Sequence, residues 1–129
     1  MKFINAFFLI FLFSAMSCDN DKGAATCIYE HILSTNEALN ITDSSADLIG
    51  SVMIASENCS VPGGGQKGFV YGTSSMPDIN DAITNSEGTQ ISTTINGLSP
   101  ETTYYVRSFI SSPLGEYYGN EISFITTSD

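Results

Sequence analysis

The sequence predicts an all-β protein, a sandwich of at most seven short strands behind an amino-terminal export signal. Three observations carry the prediction. From Cys27 onward the apolar residues fall in short alternating or β-branched runs, with no stripe of 3.6-residue period. Clusters of Gly, Pro, Asn, Asp and Ser separate those runs at close intervals. A chain of 129 residues has room for one core but not for two.

The strands are expected in the following order. Residues 27–33 (CIYEHIL) make the first. In residues 46–54 (ADLIGSVMI), Ala46, Leu48, Gly50, Val52 and Ile54 share one face, while Asp47 and Ser51 mark the other. Pro62-Gly63-Gly64-Gly65 breaks the chain before a third strand at residues 68–73. A weak strand falls at residues 79–84, beyond Pro77. Residues 90–95 (QISTTI) bring Ile91, Thr93 and Ile95 together, and Asn96-Gly97 turns the chain. Residues 103–110 (TYYVRSFI) follow, then a turn at residues 111–115. The last strand is residues 120–126, with Ile122 and Phe124 inward.

The amino terminus reads as an address. Lys2 precedes an apolar stretch, residues 3–13, broken only by Asn5, and the small residues Ser14, Ala15 and Ser17 lead to Cys18. That is the order of a secretory signal, and the stretch is short of the roughly 20 residues that cross a bilayer. Two peptidases could cut before Cys18. Ala15-Met16-Ser17 suits ordinary signal peptidase, whereas Ser14-Ala15-Met16-Ser17-Cys18 resembles a bacterial lipobox, with Ala15 and Met16 departing from the commonest residues there. The second resemblance implies lipidation of Cys18. It also accounts for the odd count of three cysteines in an exported chain. Asp19, Asn20 and Asp21 resemble the surface-export signals of Bacteroidetes-type lipoproteins, which implies an outer-membrane anchor, with exposure at the surface. The expected organisation is a signal peptide at 1–17, a lipidated cysteine and flexible tether at 18–25, and a sandwich at 26–129.

At residues 98–107 (LSPETTYYVR) the sequence resembles a fibronectin type III domain. Leu98, Pro100, Thr102, Tyr104 and Val106 match that family's signature at the corner leading into its sixth strand. Residues 46–52, 68–73 and 118–124 are similar to the family's short bacterial branch. The resemblance implies a seven-stranded, immunoglobulin-like sandwich whose Tyr104 buries its ring and returns its hydroxyl to nearby backbone. No Trp is present, and Leu48 is expected in the position where many members carry one. The resemblance also places the start of the first strand beside the loop after the second. It thereby implies a Cys27–Cys59 disulfide, in keeping with an oxidising compartment.

Charge and motif spacing narrow the chemistry. With 4 Lys+Arg against 14 Asp+Glu, net −10, the chain lacks the basic patch that nucleic acid requires. His31 is the single histidine, so neither a two-histidine metal site nor a serine triad with a Gly-x-Ser-x-Gly elbow is expected. Residues 63–68 (GGGQKG) look like a phosphate loop but lack its Gly-Lys-Ser/Thr ending, and read as a flexible loop. Asp78, Asn80 and Asp81 read as a solvated turn. No metal or cofactor is expected, and no catalysis, because a small sandwich offers no deep cleft to tune an acid–base pair.

The remaining candidates are aromatic. Tyr105 and Arg107 alternate with Tyr104 and Val106 and are expected, with Phe109, on the outer sheet face or under a neighbouring loop; Tyr117 is expected beyond the following turn, free to bind. The expected function is that of an envelope lipoprotein. Its membrane contact is the lipid on Cys18, and its sandwich binds a protein or glycan at the cell surface. The competing expectation is a structural accessory subunit of an envelope complex.

Overall fold

The computed structural model describes residues 26–129. The signal peptide, Cys18 and the tether, expected at 1–25, lie outside the described residues. Seven strands succeed one another: β1 (Ile28–Thr35), β2 (Ala46–Glu57), β3 (Gln66–Gly72), β4 (Ala82–Asn85), β5 (Gln90–Ile95), β6 (Thr103–Ser112) and β7 (Gly115–Ile125). They form two antiparallel sheets, ordered β1-β2-β5 and β4-β3-β6-β7, which close over one core as a β-sandwich.

Side-chain alternation decides which face is buried. Ala46, Leu48, Gly50 and Val52 of β2 are buried while Asp47, Ile49 and Ser51 between them are half-buried. Opposite them β5 contributes Ile91 and Ile95. The second sheet supplies Phe69 from β3, Tyr104 and Val106 from β6, and Phe124 from β7. Gly50 is required where it stands. A Cβ there would run into the Ser34 carbonyl and meet the Phe69 ring at 3.2 Å, so the missing side chain is what admits the ring.

Tyr104 is 8% exposed, and Ser99 N–H donates to its hydroxyl at 2.8 Å, pinning the connection before β6 across the end of the core. Tyr104→Phe should therefore cost about 1 kcal/mol of stability, read as a lower denaturant midpoint with an unchanged slope.

The two sheets are also joined along one edge. Thr35 N–H donates to Asn120 Oδ1 at 2.8 Å and Asn120 Nδ2 donates to the Thr35 carbonyl at 2.9 Å, so a side-chain amide on β7 completes the edge of β1. Ser108 N–H donates to Thr35 Oγ1 at 2.8 Å, giving buried polar atoms at this seam their partners.

Two expectations need correction. β7 begins at Gly115, not residue 120, because Ser112 and Gly115 pair across a two-residue turn; Glu116 to Asn120 thus belong to a strand. The weak fourth strand lies at Ala82–Asn85, since Asp78 and Asp81 spend their side chains and backbone on a turn before it. Phe109 falls with Arg107 on the face of β6 turned away from the core, as expected, and is fully buried there. β6 keeps its alternation against β3, and the extra residue of the bulge opposite Ser108 lies in β7, between Tyr118 and Glu121.

Candidate binding site

The antiparallel register assembles the site. Because Ile28 pairs with Glu57, Ser51 with Gln90 and Gln66 with Ser111, three connections meet at one end of the sandwich. These are residues 58–65, 86–89 and 113–114. Between them lies a cleft of about 330 Å³, within the range that holds small ligands. Val52, Ile54 and Ile110 form its inner wall, at the open end of the core; Val61 and Pro62 of the β2–β3 loop form its outer wall. Lys67 and Glu87 bring opposite charges to the rim. Lys67 is the single lysine among the described residues. Chemically the cleft suits an apolar group carrying one acceptor for the lysine ammonium. A second depression, about 480 Å³, runs between the β1–β2 link and β7 at the opposite end, lined by Ile41, Ile122 and Phe124.

The outer wall is held at its root and free at its tip. Ser56 Oγ donates to the Cys59 carbonyl at 2.8 Å and Tyr29 donates to the Ser60 carbonyl at 3.2 Å. Gly63 and Gly64 have open space about them, and Gly64 takes the left-handed φ of 78° that favours glycine.

The aromatic candidates do not assemble a site. Arg107 is 9% exposed, and its Nε and Nη2 donate to the Pro77 carbonyl at 2.9 and 2.5 Å. Its guanidinium carbon lies 4.1 Å from the centroid of the Tyr118 ring, and Tyr118 in turn accepts from Ile79 N–H at 3.1 Å. Arg107 is thus a clamp on the β3–β4 connection and offers little surface to a ligand. Tyr117 points to the other side of β7, where its ring stacks on His31 at 3.4 Å between centroids and its hydroxyl donates to the Leu114 carbonyl at 3.1 Å. It packs the β1 seam and is not free. Tyr105 stands half-buried on β6, paired with Gly72 and Ser123.

The two cysteines of the expected disulfide sit at adjoining strand ends. Cys27 and Cys59 are both free thiols, and Cys59 Sγ donates to the Glu57 carbonyl at 3.3 Å. They are nevertheless in contact. A hydrogen bond to Cys59 holds the Cys27 thiol above its ordinary value, helped by desolvation. The same neighbour pushes the Tyr29 hydroxyl up to about 12, because ionising it beside the Cys59 sulfur would forfeit their hydrogen bond and set two anions together. At the other end of the sandwich, Asp47 is held below the usual carboxylate range by Asn40 Nδ2 at 2.7 Å and Thr94 Oγ1 at 2.6 Å.

Sequence reasoning missed the cleft because its walls come from four separated segments. One local signal was available: Val61-Pro62 beside three glycines and the single lysine of the sandwich, the stretch that reads as a flexible loop.

Fold and site together define a two-sheet β-sandwich with a ligand-sized cleft among its end loops. No protein-family profile matches the chain, and no curated protein does either. Among solved structures it is similar to the sensor domain of the anti-sigma factor RsgI4 of Pseudobacteroides cellulosolvens. A short form of that domain aligns with TM-score 0.54 at 22% identity, over 77% of this chain and 96% of that one. A long form aligns with TM-score 0.54 at 22% identity, over 78% and 92%. The solution structure aligns with TM-score 0.55 at 22% identity, over 77% and 76%. Likeness at this identity speaks to the fold alone.

Proposed function

We propose that the chain is a non-catalytic, outer-membrane-anchored lipoprotein whose fibronectin type III-like sandwich binds a protein or glycan at the bacterial surface. The observation that carries this reading is the cleft, an apolar pocket with one lysine on the rim of an otherwise acidic domain. The three-plus-four division of the sheets and the Tyr104 corner support the fibronectin type III-like part. The lipobox-like residues before Cys18 support the anchor. His31 lies outside the cleft with its ring against Tyr117, which favours binding over catalysis. That a sandwich of similar fold is named a sensor domain in RsgI4 accords with a recognition role.

The test is a mild-detergent pull-down from the native membrane, with intact mass measured in the same run. Acylated Cys18 at the mature amino terminus is expected. Val61→Asp and Lys67→Ala should each lower partner recovery at least tenfold while shifting the melting temperature by no more than about 2 °C, since exposed Val61 and half-buried Lys67 both stand outside the core cluster. Unmodified protein found only in the medium would overturn the anchor, and full recovery with both variants would overturn the cleft.

A second reading, an accessory subunit of an envelope complex, draws on the outer face of the β1-β2-β5 sheet. There Ile32 and Met53, paired across β1 and β2, stand 40% and 42% exposed with Ile28 beyond them at 54%. One stoichiometric envelope protein that is lost with Ile32→Asp and kept with Val61→Asp would favour it.

A further inference from the structure

We propose that Cys27 and Cys59 are a thiol–disulfide exchange pair, and that joining them fastens the β2–β3 loop, and with it the outer wall of the cleft, to the root of β1. The bearing of this latch on binding rests on the cleft being the binding site; the latch itself does not. Geometry brings the two sulfurs together. The β1–β2 ladder ends at Ile28 and Glu57, so the next residues, Cys27 and Asn58, are neighbours. Asn58 has a left-handed φ of 63°, which turns the chain back, and Cys59 follows it into contact with Cys27. Bonds from Ser56 to the Cys59 carbonyl and from Tyr29 to the Ser60 carbonyl hold this arrangement. Neither thiol is deeply buried, so a second disulfide can reach them.

The chemistry is two successive exchanges with an oxidant that carries a disulfide, either a small molecule or an envelope thiol oxidoreductase. One cysteine, as thiolate, attacks an oxidant sulfur; that S–S bond breaks, a mixed disulfide forms, and the first oxidant thiolate leaves. The second cysteine then attacks the protein sulfur of the mixed disulfide and the other oxidant thiolate leaves. The protein loses two electrons and two protons, and the oxidant becomes two thiols. The raised Cys27 stays protonated at neutral pH and is therefore slow as the attacking thiol.

The consequence follows from where the loop is already fixed. Between Ser60 and the open glycines Gly63 and Gly64 lie only Val61 and Pro62, the two wall residues. Without the bond, two hydrogen bonds root this wall; with it, a covalent link removes the fraying motion that lets Val61 and Pro62 swing away from Ile54 and Ile110. The cleft is therefore better formed in the oxidised chain.

The test equilibrates the full chain in glutathione buffers from fully reduced to fully oxidised, quenches with acid, and maps disulfides by mass spectrometry. In parallel, hydrogen exchange is read across residues 58–65. A Cys27–Cys59 linked peptide with a 2-Da loss is expected, with exchange in that loop slowed at least fivefold. The Tyr29 titration, followed by ultraviolet absorbance, should move from about 12 towards the ordinary tyrosine value once no thiolate can form beside it. Cys59→Ser and Cys27→Ser should each abolish all three redox responses while keeping the fold. Two alkylatable thiols in fully oxidised buffer would overturn the proposal, and so would a bond that forms with no change in loop exchange. A latch that forms and tightens the loop while the cleft captures nothing would leave this inference standing and remove only the binding role.

Discussion

Phe69→Ala should lower the unfolding free energy by about 3–5 kcal/mol, and with it the melting temperature by about 15–30 °C for a domain of this size. Phe69 is fully buried at the centre of β3, and its ring occupies the space that Gly50 leaves open on the facing sheet. Truncation removes one of the contacts that couple the two sheets and leaves a void which the backbone of β2 cannot fill. Gly50 has no side chain to rotate into it, and the Ser34 carbonyl of β1 already closes on Gly50. Phe69→Leu should cost about half as much or less, because most of the volume is kept. Urea unfolding followed by tyrosine fluorescence measures both. A cost below about 1 kcal/mol for the alanine variant would mean that the sheets do not meet over Phe69.

Arg107→Ala should cost about 2–3 kcal/mol, and this effect separates two accounts of the residue. As a ligand contact, Arg107 could be truncated with no thermal consequence. As the clamp described above, its loss leaves the buried Pro77 carbonyl without both donors and the Tyr118 ring without its cation. Arg107→Lys is the informative partner. It keeps the charge but cannot send two forked donors to one carbonyl, so its melting temperature should fall between those of the wild type and the alanine variant. An alanine variant that melts with the wild type would return Arg107 to the list of ligand contacts.

Much of the architecture is legible in local chemistry. Alternation in residues 90–95 marks β5 to the residue, and the even positions of β2 give half of one core face. The corner at Tyr104 is readable from the resemblance carried by residues 98–107, and its hydroxyl finds a backbone partner at Ser99. What is not legible depends on register. The start of β7 is hidden because Glu116, Asn120 and the glycines around them read as loop until Ser112 and Gly115 are seen to pair. The bulge in β7 exchanges the faces that alternation back from Ile122 would give Tyr117 and Tyr118, and no periodicity announces it. The same limit conceals the cleft. Val52, Val61, Lys67, Glu87 and Ile110 become neighbours only after three strand pairings are set.

The shared end of β1 and the cleft has a mechanical meaning for the whole molecule. Residue 26 emerges beside the β2–β3 loop, so whatever grips the chain upstream also governs how far the cleft mouth can travel. From Cys18 to Thr26 is eight residues, at most about 28 Å of chain. An acyl group at Cys18 would thus make the cleft look back towards the lipid headgroups, and leave the links 36–45, 73–81 and 96–102 as the face turned to the outside. A partner reaching the cleft would have to belong to the same membrane or slip beneath the domain. One arriving from the medium would meet the far end first.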